Sequence, residues 1–193
     1  GYDGSAKKFV KKLKDMGLCD SVDYTIPGAK QALIQVPKDT VTISKMAYGY
    51  SVELSPLQIL MFYNGIANDG KMIAPLFVKE IRKKGKIIEE YESCVVNGRM
   101  CDASTLQGIR ECLHDVVWDN ELGTASVNPW GTRKAQSDLV SIAGKTGTAQ
   151  ISQGSAGYNK KNYTATFVGY FPAEDPKYSC IIVVSDPRSG KYY

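Results

Sequence analysis

The chain has 193 residues, of which 43% are hydrophobic and 23% are charged, and its formal net charge is +4. This length and balance are typical of a globular domain with a sizeable core. The mild charge, with no basic run interleaved with stacking aromatic residues, argues against nucleic-acid binding. No apolar segment approaches the ~18 residues that cross a bilayer.

Cysteine and histidine usage argues against a metal site and a disulfide framework. The five cysteines are an odd number and form no C-x-x-C pair. His114 is the only histidine, and its position two residues after Cys112 does not match the spacings of zinc ligands. We therefore expect no metal and no cofactor.

The first part of the chain predicts two helices. Residues 5–17 repeat apolar residues at helical spacing, carry lysines on the other face and end at Gly17, whereas residues 20–38 are rich in turn residues. The stretch "SPLQ" at 55–58 predicts a capped helix start, and that helix runs to about residue 68, before Asp69-Gly70. Its apolar residues lie nearly all round, so we expect it to be buried.

The remaining predicted elements are a hairpin, a helix, a loop and three strands. Turn residues 172 and 175–176 separate the last two strands, which predicts antiparallel pairing. The predicted bounds are 76–82 and 86–92 for the hairpin, 106–117 for the helix, 120–136 for the loop, and 141–151, 163–171 and 178–185 for the strands. This order predicts an α+β fold, an antiparallel sheet covered by helices.

The stretch "SIAGKTGTAQIS", residues 141–152, is the strongest candidate for a functional site. A phosphate-binding loop would need a glycine five residues before Gly144, but Leu139 stands there, so we reject nucleotide binding. An ordinary sheet strand is one interpretation. The alternative is a ligand-binding strand, because Gly147 leaves room for close approach, Lys145 supplies a positive charge, and two threonines share one face.

Those residues also carry a family resemblance. The run from Lys145 to Gln150, "KTGTAQ", resembles the third signature motif of penicillin-binding proteins and serine β-lactamases. "YGYSVELSPLQILMFYNGIANDG" and "TATFVGYFPAEDPKYSCIIVVSDP" resemble the flanking helix and the following strands of class B penicillin-binding proteins, most of all the division type. The chain is identified as a member of this family over nearly its whole length, with a partial serine β-lactamase/transpeptidase-like domain.

The resemblance implies a peptidoglycan D,D-transpeptidase. In such enzymes a serine attacks the D-Ala-D-Ala bond of a stem peptide, an amine of a second stem peptide releases the acyl group, and β-lactams acylate the same serine. Lys145, Thr146, Gly147 and Thr148 are then the substrate-binding residues, and the backbone N–H of Thr148 belongs to the oxyanion hole. The parent protein is expected in the periplasm, anchored to the inner membrane by an N-terminal helix outside this chain, with division or elongation partners.

The nucleophile is not expected in this chain. The one S-x-x-K begins at Ser5 and the one S-x-N at Ser126. Ser5 would start a lysine-coated helix, where serine is usually a cap, and Ser126 lies in a turn-rich loop too close to Lys145. Residues 1–193 are therefore expected to be the C-terminal portion of a transpeptidase domain, truncated at both ends, since the family continues past a pair like Tyr192-Tyr193 into a last helix.

Two other functions fit the same residues. One is a penicillin-recognising sensor domain without wall synthesis, and the other is a relative of the D,D-carboxypeptidases or β-lactamases, with water as the acceptor. The "SPLQ" helix and its "NGIANDG" end favour the transpeptidase over the second of these. The region preceding residue 1 would separate the sensor from the synthase, because the sensor is expected to carry several membrane helices and the synthase one.

Overall fold

The structure is a computed structural model, and it describes residues 6–18, 31–128, 130–152 and 158–187. The chain divides into two compact units, Gly1–Asp102 and Ala103–Tyr193. Among the described residues, no helix is long and apolar enough to cross a membrane.

The elements of the first unit are α1 (Ala6–Asp15), α2 (Thr40–Ala47), α3 (Pro56–Ala67), β1 (Met72–Ile73), β2 (Glu80–Lys83), β3 (Lys86–Glu90) and β4 (Val95–Asn97).

Helix α3 begins and ends as its sequence predicts. The hydroxyl of Ser55 accepts from the backbone N–H of Gln58 at 3.3 Å, and the Gln58 side chain accepts from the Ser55 N–H at 2.8 Å. These reciprocal bonds satisfy donors that a helix start leaves unpaired. The helix stops at Asn68, after which Asp69 and Gly70 adopt positive φ angles of 53° and 78°. The capping box and the stop are both confirmed.

The remaining predictions for the first unit are confirmed in part. The hairpin turns at Lys84 and Gly85, whose φ angles of 50° and 79° suit a tight two-residue turn. Its two strands, β2 and β3, are shorter than predicted. Helix α1 matches its prediction to within two residues. The short β1–β4 pair and helix α2, which Asp39 caps through the Thr42 N–H at 2.8 Å, are absent from the sequence predictions.

The described residues of the second unit form one helix and a three-stranded antiparallel sheet. The strand order is β5-β6-β7, so β5 lies at an edge of the sheet among the described residues. All three predicted strands are confirmed, although β6 begins earlier than expected and pairs with the end of β5. The elements are α4 (Ala103–Trp118), β5 (Ala143–Ser152), β6 (Tyr158–Phe171) and β7 (Tyr178–Ser185).

The core of the second unit lies where α4 packs against β5. Ala143 pairs with Tyr170 of β6, and Val168 lies two residues before Tyr170 on the same strand. These three side chains therefore share one face of the sheet. All three are buried, as are Leu113 and Val117 of α4. The indole N–H of Trp118 also donates to the Ile142 carbonyl at 2.9 Å, which joins the end of α4 to the residue before β5. This packing holds β5 in place from one side.

Candidate functional site

The K-T-G motif lies in the middle of β5. Lys145 pairs with Val168 and Gly147 with Thr166 of β6, so the motif is part of a regular antiparallel ladder. The strand continues past the motif to Ser152, so Lys145 is not at a helix start. This geometry confirms that the motif is not a phosphate-binding loop, which requires a strand, a glycine-rich loop and a helix in succession.

The motif presents different groups on the two faces of the strand. Thr146 pairs with Phe167 and Thr148 with Ala165, so the two threonines share a face, whereas Lys145 and Gly147 lie on the other. The side chains of Lys145 and Thr148 are exposed, and that of Thr146 is half-buried. Because β5 is an edge strand among the described residues, side chains on both of its faces can be reached from the edge that does not pair with β6. A ligand lying along that edge would reach a positive charge and two hydroxyl-bearing residues.

Lys145 is held close to its own strand. Its ammonium group donates to the backbone carbonyl of Thr146 at 2.8 Å. An ammonium has three donors, and a single bond to a neutral carbonyl is weaker than one to a carboxylate. The exposed ammonium is therefore placed beside the strand edge with donors to spare for an anionic group.

The glycines of this sheet fall into two kinds. A Cβ on Gly144 would lie 2.6 Å from the Val168 carbonyl oxygen and 2.6 Å from the Phe167 ring, and a Cβ on Gly169 would lie 2.5 Å from the Ala143 carbonyl oxygen. Packing therefore requires glycine at both positions. A Cβ on Gly147 would meet only the Thr166 Cβ at 3.7 Å, an ordinary contact. Nothing in the described protein requires glycine at position 147.

Thr146 is linked to the loop that follows α4. Its hydroxyl lies 2.7 Å from the Thr124 hydroxyl, and the carbonyl of Thr124 accepts from the Lys134 ammonium at 3.0 Å. These three residues border a cavity of about 490 Å³ whose other walls, including Phe167 and Ile182, are mostly apolar. The sequence analysis did not identify Thr124. The Gly-Thr-Ala run at 123–125, in the loop between a predicted helix and the K-T-G strand, was the available signal.

The serine and the asparagine of the S-x-N sequence in this loop both bond to the loop backbone. Ser126 is 1% exposed, and its hydroxyl donates to the Gly123 carbonyl at 2.8 Å. The Asn128 side chain accepts from the backbone N–H groups of Trp130 and Thr132, at 3.0 and 2.8 Å. Both side chains stabilise the turn, in agreement with the structural role that the sequence analysis gave them.

The start of β5 is fixed by the turn between β6 and β7. The backbone N–H of Ala173 donates to both the carbonyl and the hydroxyl oxygen of Ser141, each at 3.0 Å, and the Ser141 hydroxyl donates to the Glu174 carboxylate. That hydrogen bond is the main cause that lowers the pKa of Glu174 from its ordinary value. The strand therefore enters the sheet between two anchors, this turn and the Trp118 bond.

Several sequence predictions concern residues outside the described part of the chain. Ser5, the first residue of the S-x-x-K, lies there, as do Cys19 and the Tyr192-Tyr193 pair, whereas Lys8, the lysine of that sequence, belongs to α1. The other four cysteines are described and are free. Within the described ranges, no group of three His, Cys, Asp or Glu residues is placed to hold a metal ion. His114 instead stacks on Trp118, with ring centroids 5.9 Å apart.

The K-T-G sequence on this edge strand is one of the signature motifs of penicillin-binding proteins and class A β-lactamases. A family model described as the penicillin binding protein transpeptidase domain matches residues 3–193. The chain belongs to this family. The resemblance stated from the motifs is therefore confirmed.

The chain is also similar in sequence and in structure to individual penicillin-binding proteins. The chain is 29% identical over 188 residues to the penicillin-binding protein PbpB of Mycolicibacterium smegmatis, covering 94% of this chain and 28% of that protein. It is 25% identical over 189 residues to the probable peptidoglycan D,D-transpeptidase PbpC of Pseudomonas aeruginosa, covering 97% and 30%. The crystal structure of penicillin-binding protein 3 of Mycobacterium tuberculosis complexed with ampicillin matches with a TM-score of 0.75 and 27% identity, over 94% of this chain and 40% of that one. The chain thus spans less than a third of the two curated relatives.

Proposed function

We propose that this chain forms one wall of the active site of a peptidoglycan D,D-transpeptidase that also reacts with β-lactams. The observation that carries the proposal is Gly147: it is exposed on the edge strand between Lys145 and Thr148, and the protein's own packing does not require it. A glycine that the fold does not need is explained by a ligand that approaches the strand closely.

The substrate would add to the edge of β5 as an extended peptide. The terminal carboxylate of the stem peptide, or the corresponding carboxylate of a β-lactam, would replace the Thr146 carbonyl as the partner of the Lys145 ammonium. Charge-assisted hydrogen bonds of this kind are roughly twice as strong as neutral ones. The hydroxyls of Thr146 and Thr148, which share a face of the strand, would add further hydrogen bonds.

The backbone N–H of Thr148 is proposed as one donor of the oxyanion hole. In an antiparallel strand, backbone groups of residues two apart point to the same side, so those of Thr148 point as those of Thr146 do. The Thr146 carbonyl is the group that the Lys145 side chain reaches. A donor at position 148 would therefore lie on the side of the strand where the substrate carbonyl is expected, and would stabilise its developing negative charge.

The nucleophilic serine and its lysine are proposed to lie outside this chain, in the full-length protein. Ser126, which has the local sequence of an S-x-N motif, is buried and its hydroxyl donates to the Gly123 carbonyl, so we propose that the S-x-N motif of the active site also lies outside this chain. In the reaction, the serine oxygen bonds to the penultimate D-Ala carbonyl carbon and terminal D-alanine leaves. An amine of a second stem peptide then attacks the ester, restores the serine and forms the cross-link.

Periplasmic localisation, an N-terminal membrane anchor and a role in cell division are proposed on the same resemblance. The chain itself is proposed to be inactive alone, because the nucleophile is proposed to lie outside it.

The test is to incubate the full-length protein with a stem pentapeptide and an amine acceptor and to follow D-alanine release and cross-linked product by mass spectrometry. Both products should appear, and benzylpenicillin should block both. D-alanine release without any cross-link would indicate a carboxypeptidase instead. Penicillin binding without either product would indicate a sensor.

A further inference from the structure

The hydroxyl pair between Thr124 and Thr146 has no role in the mechanism above. The two oxygens are 2.7 Å apart, and the residues are 22 positions apart in the chain. Thr124 lies in the loop after α4, and Thr146 lies on the edge strand that is proposed to bind the substrate. The pair therefore connects the K-T-G motif to the loop that follows α4.

Thr124 is held rigidly on both sides. A Cβ on Gly123 would lie 2.6 Å from the Asp115 carbonyl oxygen and 2.8 Å from that of Val116, so this residue packs directly on the last turn of α4. On the other side, the Ala125 N–H donates to the Val116 carbonyl at 2.9 Å, and Ala125 is 2% exposed. The backbone on either side of Thr124 is thus fixed to α4, and its hydroxyl is delivered to Thr146 from a fixed position.

Either hydroxyl can be the donor in this contact, and the choice decides whether Thr146 keeps a proton for a ligand. Each threonine hydroxyl has one proton to donate and two lone pairs that accept. A Thr146 that donates to Thr124 has no proton left for a carboxylate. When Thr124 donates instead, Thr146 is held in one rotamer and keeps its proton for the ligand. The same oxygen pair allows both arrangements, and an incoming carboxylate would favour the second.

We infer that Thr124 is a positioning residue for the proposed transpeptidase reaction. Its hydroxyl is hydrogen-bonded to that of Thr146 in the free protein and donates to it when a carboxylate binds, so that the Thr146 hydroxyl keeps its own proton for the ligand. The effect on acylation rests on the proposed function. The effect on the side-chain rotamer of Thr146 does not depend on catalysis.

The first experiment measures acylation of the full-length protein by benzylpenicillin and by its methyl ester, in which the carboxylate is neutralised. Thr124→Val removes the hydroxyl but keeps the shape, and should slow acylation by the free acid about 2- to 10-fold, the range expected for one neutral hydrogen bond. Acylation by the ester should be unchanged. Thr124→Ser retains the hydroxyl and should restore the rate with the acid.

Thr132→Val is the matched control, because Thr132 belongs to the same loop and pairs with Asn128 through its backbone. It should leave both rates unchanged. A Thr124→Val variant that slows the acid and the ester equally would show general damage to the site and overturn the inference. So would a variant that slows neither.

The second experiment is independent of activity. Three-bond couplings to the Thr146 methyl carbon, measured by NMR on 13C-labelled protein, should report one χ1 rotamer in the wild type and in Thr124→Ser, and averaging in Thr124→Val. An unchanged coupling in Thr124→Val would overturn the link. If the wild-type protein is not acylated at all, the proposed function is wrong, and this coupling alone decides whether Thr124 positions Thr146.

Discussion

The two glycines on either side of Lys145 and Thr146 should respond in opposite ways to the same substitution. In Gly144→Ala, the new methyl group would lie 2.6 Å from a backbone oxygen that is fixed in the ladder and 2.6 Å from the Phe167 ring. Overpacking of this kind costs about 1–3 kcal/mol. The ratio of folded to unfolded protein should therefore fall about 5- to 150-fold, since 1.4 kcal/mol is a factor of ten.

Gly147→Ala is the matched control for that change. Its methyl group would meet one side-chain atom at 3.7 Å, so the free energy of unfolding should change by no more than about 0.5 kcal/mol. Urea unfolding of each variant, followed by circular dichroism and by tryptophan fluorescence, measures the difference. Trp118 is a suitable probe because its indole bonds to the carbonyl just before β5.

The same comparison tests the site. Gly147→Val should fold, because valine suits a strand and nothing fills that space in the free protein. In the full-length protein Gly147→Val should slow acylation by benzylpenicillin by about 5- to 150-fold, because the valine side chain would overlap the ligand and the overpacking would destabilise the complex. The reasoning is refuted if Gly147→Ala unfolds as readily as Gly144→Ala, or if a folded Gly147→Val protein acylates at the wild-type rate.

The other predictions concern charge, the nucleophile and the helix cap. Full-length Lys145→Ala should acylate roughly 10- to 150-fold more slowly, the range for losing a charge-assisted hydrogen bond, whereas Thr148→Ala should lose less because its N–H remains. Stopped-flow acylation rates and thermal melts test both variants. A folded Lys145→Ala protein that acylates at the wild-type rate would contradict the role assigned to Lys145. Incubation of the 193-residue chain with excess fluorescent penicillin should give no covalent adduct by intact mass, and an adduct on Ser5 would show that its S-x-x-K is functional. Ser55→Ala should lower the free energy of unfolding by about 0.5–2 kcal/mol through loss of the capping box, and an unchanged urea midpoint would contradict this.

Local chemistry accounts for the elements that were predicted correctly. The α3 cap depends on four adjacent residues, and the β2–β3 turn depends on a lysine-glycine pair, so both are encoded within a few positions. The elements that were missed have weaker local signals. Helix α2 is short and contains two threonines, which are poor helix formers, and β1 pairs with β4 more than twenty residues away.

The sequence by itself determined the family, the strand that carries Lys145 and the alternation that places Thr146 and Thr148 on one face. These follow from a motif and from the two-residue period of a strand. Only the tertiary structure decided that Gly144 is required by packing and Gly147 is not, because that difference depends on the position of β6. Only the tertiary structure, likewise, brought Thr124 to Thr146, because a hydrogen bond between residues 22 positions apart depends on how the loop after α4 folds back onto the sheet.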